Sequence, residues 1–129
     1  AVCPWNKFAA ATDELAFVPR ADLTLPLLAD LADLDDAGFR AYFAGSPIKR
    51  TGRDRFVRNV LVAIGNSNDS SAVPVVERRL DDPSPLVRGM AVWALTRLSP
   101  DALRRHAGRS DSETDEHVRA EWRTALGEP

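Results

Sequence analysis

Cysteine is nearly absent: the chain has one, Cys3. A lone thiol excludes an internal disulfide framework and fits a reducing compartment. Histidine is scarce as well. Apart from acids in a polar stretch, His106 and His117 have no Cys, His or carboxylate neighbours at metal-ligand spacing, so a zinc-type centre has no support. Neither a Gly-x-Ser-x-Gly nucleophile elbow nor a glycine-rich phosphate loop occurs. No apolar run approaches the roughly 20 residues of a membrane span. No basic n-region precedes an apolar h-region, so no secretory signal is visible. Nor is there a large excess of charge of one sign. The net charge is −2, and any attraction to a nucleic acid must be local. The chain opens on Ala1 rather than Met, which reads as a fragment or a processed product.

What is present is helical periodicity. The length of 129 residues and the apolar content of 44% suit one compact domain with a core. The stretch 81–98 is its organising element. Val87, Ala91, Ala94 and Leu98 recur at i, i+4, i+7 and i+11, and Met90, Trp93 and Leu95 widen the apolar face. Ser84 before Pro85 reads as a cap followed by a proline at the first helical position. Upstream, Leu27, Leu28, Leu31 and Leu34 make a helical stripe with Pro26 in its first turn. Asp35 can cap a second short helix carrying Phe39, Tyr42 and Phe43, which Gly45 ends. Residues 46–53 read as a loop, 54–66 as a helix through Phe56, Val60 and Ile64, and 71–80 as a helix through Val73, Val76 and Leu80. Ser99-Pro100 opens a helix over 101–107 that Gly108 stops. Residues 109–113 read as polar linker. Thr114 or Asp115 starts a last helix through Val118, Trp122, Ala125 and Leu126. Residues 1–20 lack periodicity but hold Trp5, Phe8, Leu15 and Phe17, and read as an irregular arm pinned against a neighbour. Residues 21–129 form the helical domain.

The helices repeat. Val118-Arg119 follows Val87-Arg88 at the same offset by which Ala125-Leu126 follows Ala94-Leu95. Ala63-Ile64 precedes Ala94-Leu95 at that offset too, and Val57-Arg58 precedes Val87-Arg88 at an offset one shorter. A shorter helix, a turn and a longer helix, recurring about every 30 residues, are the arithmetic of an all-α solenoid, whose stacked units bury a continuous core. The pattern Asp82-Pro83, Val87-Arg88, Ala91, Ala94-Leu95 resembles short HEAT-like repeats of the bilin-lyase type. The third unit lacks the acidic-Pro step, as end units of such stacks often do.

Two places can carry chemistry. The first is Cys3-Pro4. A thiolate followed by proline is how ferredoxin-type cluster motifs end, although an ordinary terminal thiol has the same sequence. The second is a basic stretch. Between Asp36 and Asp69 the only acid is Asp54, against Arg40, Lys49, Arg50, Arg53, Arg55 and Arg58. Arg78, Arg79 and Arg88 join them if the helices stack. Lysine and arginine contacts to phosphate supply most sequence-independent RNA affinity. The same arginines also suit pairing with Asp54, Asp81 and Asp82, and Arg88 and Arg119 suit pairing with an acid of the neighbouring unit. Acids gather elsewhere, at Asp30, Asp33, Asp35 and Asp36 and again at Asp111, Glu113, Asp115 and Glu116. Such segregation favours a one-sided docking surface.

The run Val2-Cys3-Pro4-Trp5-Asn6-Lys7-Phe8 resembles the close of the second ferredoxin motif of epoxyqueuosine reductases. Gly45-Ser46-Pro47-Ile48-Lys49-Arg50, the stretch 53–66 and the HEAT-like tail are similar to that family in order and spacing, over nearly the whole chain. The resemblance implies a C-terminal portion of an enzyme that reduces epoxyqueuosine in tRNA to queuosine with cobalamin and two [4Fe–4S] clusters. It implies Cys3 as one cluster ligand. The catalytic domain, the cobalamin site and the other cluster cysteines would lie upstream, so no cofactor is expected on this stretch alone. It turns the basic stretch toward the tRNA anticodon stem-loop, with Lys49, Arg50, Arg53, Arg55, Arg58 and Arg88 as contacts. A cytoplasmic monomer without membrane contact is expected. The competing reading is a non-catalytic HEAT-like module whose groove takes an acidic protein.

Overall fold

Helices stand where apolar spacing and caps agree. The computed structural model describes residues 26–127. In order these form α1 (Leu28–Ala32), α2 (Asp36–Tyr42), α3 (Arg53–Gly65), α4 (Val73–Arg78), α5 (Pro85–Leu98), α6 (Pro100–Arg105), α7 (Arg109–Ser112) and α8 (Glu116–Leu126). The described residues contain no strand. The arm 1–20, with Cys3 and Trp5, lies outside them.

The chain is all-α and built from helix pairs. Helices α3, α5 and α8, the second members of successive pairs, pack side by side with α5 in the middle. Helix α1 lies on α3 and α4, while α4 and α6 lie on α5. Being covered on both flanks and one face, α5 buries Val87, Ala91, Val92, Ala94 and Leu95 completely. Val57, Val87 and Val118 hold equivalent interior places, at 0%, 0% and 2% exposure. Trp122 is buried and Trp93 packs partly buried against the same core. Phe39, Phe43 and Phe56 hold α2 on α3, with ring centroids 4.8 to 5.4 Å apart.

The repeat phase between the first two units differs from the sequence reading by a single position. Ala63 is exposed, whereas Ala94 is buried. The buried equivalents of Ala94 and Leu95 on α3 are Ile64 and Gly65, at the same shorter offset that relates Val57 to Val87. The reason is a close helix crossing. A Cβ on Gly65 would sit 2.6 Å from Trp93 Cζ3 and 3.2 Å from the Ala94 Cα, so only glycine lets α3 approach. An alanine pattern by itself does not distinguish the two registers.

Several local expectations are also corrected. The leucine stripe yields only the five residues of α1. Leu27 and Leu28 stay exposed, and Ala32 takes the interior place, because so short a helix offers one turn to the core. Residues 46–53 are not all loop: Pro47–Thr51 form a 3₁₀ turn. Gly108 lies in right-handed conformation at the start of α7, which occupies what reads as linker. Ser84 does not cap α5 with its hydroxyl. Asp82 closes that turn instead, its Oδ1 accepting the Ser84 N–H at 3.0 Å. Asp35, Ser99 and Asp115 do cap α2, α6 and α8.

Candidate nucleic-acid interface

The basic stretch is split by the fold into exposed and engaged members. The exposed part begins at the 3₁₀ turn. Ser46 accepts the Ile48 N–H, Pro47 starts the turn, and Gly52, at φ +79 and ψ 152, redirects the chain into α3. This presents Lys49 and Arg50 to solvent. Arg55 follows on the first turns of α3, and Arg58 shares its flank at i+3. Arg55 is exposed. Arg58 is half-buried, its Nε shut off from solvent without a hydrogen-bond partner. Among the described residues none of these four cations has an ion-pair partner.

Arg53 is different. It is 7% exposed, and its Nη1 and Nη2 donate to the two carboxylate oxygens of Asp82 at 2.7 and 2.5 Å. Its Nε donates to the Leu34 carbonyl at 2.9 Å. One guanidinium thus ties the α1–α2 turn, the start of α3 and the turn before α5. Burial alone would raise the Asp82 carboxyl. Hydrogen bonds from Arg53 and the Ser84 N–H outweigh it and hold that carboxyl below its ordinary value. The Asp82 hydrogen bond raises the Arg53 guanidinium in turn.

Arg88 is engaged in the same manner one unit on. Its Nε and Nη2 donate to Glu113 at 2.9 and 2.8 Å, and its Nη1 donates to the Asp82 and Pro83 carbonyls. Glu113 Oε1 also accepts the Thr114 and Asp115 N–H groups. The Arg88 hydrogen bond comes first among the causes that lower the Glu113 carboxyl to about 2. The third unit therefore keeps the acidic step without its proline: Glu113 follows Asp82 at the repeat offset and ties its own turn to the preceding unit. The repeat period points to this acid, but without the following proline the step is hidden in the sequence. Arg53 and Arg88, expected among the nucleic-acid contacts, spend their donors inside the protein as ties between units.

Most other arginines of the described residues are neutralised too. Arg40 pairs with Asp36, Arg78 and Arg79 with Asp33, Arg104 with Asp101, Arg105 with Glu77, and Arg109 with Asp81. These lie on α2, α4, α6, α7 and adjoining turns. No group of three or more His, Cys, Asp or Glu side chains among the described residues is placed to hold a metal ion. No described helix is long and apolar enough to cross a membrane. Cys3 lies outside the described residues.

This stacking of paired helices, with acids set at one period to tie each unit to the next, defines a HEAT-type helical repeat. The family described as HEAT repeats matches residues 54–127, and the chain belongs to it. Its named relatives are more particular. The chain is 45% identical over 95 residues to an epoxyqueuosine reductase of Xanthomonas campestris pv. campestris, covering 73% of this chain and 27% of that protein. It is 41% identical over 99 residues to an epoxyqueuosine reductase of Pseudomonas aeruginosa, covering 74% and 27%. A crystal structure of epoxyqueuosine reductase with an epoxyqueuosine-modified tRNA-Tyr stem loop superposes with a TM-score of 0.86 at 26% identity, over 98% of this chain and 34% of that one. The chain thus spans about a quarter of the length of these curated relatives.

Proposed function

We propose that this chain is the helical-repeat portion of an epoxyqueuosine reductase and that it holds the tRNA substrate by its backbone. The observation that carries the reading is the sorting of cations. Lys49, Arg50, Arg55 and Arg58 cluster on one turn and one helix flank without an acid partner among the described residues, whereas Arg53 and Arg88 are satisfied internally. Unpaired surface cations so close together cost repulsion, and a polyanion relieves it by releasing its own counterions. The names of the relatives and the stem loop bound to the structural neighbour support the same substrate class.

In this reading Cys3 is one ligand of a [4Fe–4S] cluster in a longer cytoplasmic protein that also carries cobalamin. No step of the reduction is assigned to the helical residues. Their role is positioning: fixed cations set the register of the stem loop while chemistry occurs elsewhere.

The test is binding of the full chain to a fluorescently labelled tRNA anticodon stem-loop, read by anisotropy over a series of salt concentrations. Replacing Lys49, Arg50 and Arg55 by Glu should weaken binding by at least about tenfold and reduce the slope of log Kd against log salt by about 2 to 3. Unchanged affinity and slope in a folded triple variant would refute the assignment.

A further inference from the structure

Helix α5 contains no acid; Arg88 and Arg97 are its only charged residues. Arg88 is committed to Glu113. Arg97 is exposed and has no acid partner among the described residues. Instead its guanidinium carbon lies 5.5 Å from the centroid of the Trp93 ring, one helical turn earlier. That is cation–π distance. The ring is itself fixed, since Trp93 is wedged against Gly65 of α3 and the Ala94 backbone follows immediately. Arg97 is therefore a flexible side chain held over a rigid shelf, which lowers the rotamer entropy lost when it grips a ligand.

The shelf lies on the same seam as the basic flank of α3. Arg58, Val62 and Gly65 follow at i, i+4 and i+7, one stripe of α3, and Gly65 meets Trp93. Helices α3 and α5 run the same way, because Arg53 at the start of one binds Asp82 just before the other. Arg58 and Arg97 thus mark two stations about 16 Å apart along the seam, from the helical rise between Arg58 and Gly65 and again between Trp93 and Arg97. Arg119 and Arg123 on α8 differ, since they share a surface groove with Asp111 and Glu116.

Resting on the tRNA reading above, we infer that Arg97, seated on Trp93, is a further phosphate-positioning residue, and that RNA lies along the α3–α5 seam rather than on the 3₁₀ turn alone. The ligand chemistry is a phosphodiester backbone; no base readout is involved. Charge complementarity selects it, because Asp54 is the only acid in the two helices and it already faces Arg53.

The experiment compares Arg97→Gln, Trp93→Phe, Trp93→Leu and the control Arg104→Gln in the full chain, with the labelled stem-loop and a salt series, well below each variant's Tm. Arg97→Gln should bind about tenfold more weakly, with the salt slope reduced by about 0.7 to 0.9. Trp93→Phe should bind like the parent, since an aromatic shelf remains, and Trp93→Leu more weakly. Arg104→Gln, whose arginine pairs with Asp101, should change nothing. A lowered Tm with unchanged Kd and slope in Arg97→Gln would reduce Arg97 to a helix-end stabiliser and overturn the inference, leaving the 49–58 interface intact. An unmodified chain that binds acidic protein but no RNA would overturn both.

Discussion

Replacing Asp82 by Ala is the sharpest perturbation of this fold. The carboxylate is buried, with its side chain 1% exposed, and it neutralises a guanidinium that is 7% exposed. It makes two charge-assisted bonds to Arg53, at 2.7 and 2.5 Å, and accepts the Ser84 N–H at 3.0 Å. Removing it leaves the buried guanidinium with only the exposed Asp54, at 3.3 Å, and strands a buried amide. Breaking one side of such a pair costs about 3 to 5 kcal/mol, against about 5 to 15 kcal/mol for a whole domain. Asp82→Asn keeps an acceptor for Ser84 but loses the charge, and should cost about 1 to 2 kcal/mol less than Ala, the worth of the Ser84 bond. The double change Arg53→Met with Asp82→Leu removes both charges together. It should recover most of the loss, since apolar replacements of buried pairs are often close to neutral. Urea unfolding followed by far-UV circular dichroism and tryptophan fluorescence measures all three. A loss under about 1 kcal/mol for Asp82→Ala would mean that the tie is not desolvated, and would return Arg53 to the pool of available cations.

The second inter-unit tie predicts an acid-sensitive component. Glu113 is lowered from 4.5 to about 2, so its contribution is fully present above about pH 4.5 and is lost as pH falls through about 2. At neutral pH, after screening on its open side, it amounts to about 2 to 3 kcal/mol. Glu113→Gln should be less stable at pH 7 and should decline less steeply between about pH 4.5 and 2, where the Asp82 tie still titrates; parallel pH–stability curves for parent and variant would refute the pairing. At the helix crossing, Gly65→Ala should destabilise by about 1 to 3 kcal/mol, because the new methyl meets the Trp93 ring and the Ala94 backbone. The cost should shrink when Trp93 is also replaced by Leu, and additive losses would show that the contact is not the cause.

Much of the architecture is legible in the chain because its signals are local. A cap such as Asp35 or Asp115 and an apolar stripe such as Val118, Trp122 and Leu126 act within a few residues, and the helices they announce are present. The 3₁₀ turn Pro47–Thr51 is harder to read. Proline and glycine mark a break, but the same residues serve a loop and a tight turn alike. The slip of register between the first units has a similar origin, since Ala63-Ile64 and Ile64-Gly65 can each serve the small-residue step until a partner helix selects one.

The order of residues alone establishes that helices repeat about every 30 residues. It also places Val57, Val87 and Val118 in one interior row and gathers positive charge between Asp36 and Asp69. Periodicity and composition carry those facts without reference to distant parts of the chain. Which of the cations are paired within the protein is settled only by the packed fold. Arg53 finds Asp82 across 29 residues and Arg88 finds Glu113 across 25. Lys49, Arg50, Arg55 and Arg58 find no acid among the described residues. A charge is a property of one residue, but its neutralisation belongs to a pair, and stacking the helices is what brings the members of each pair together.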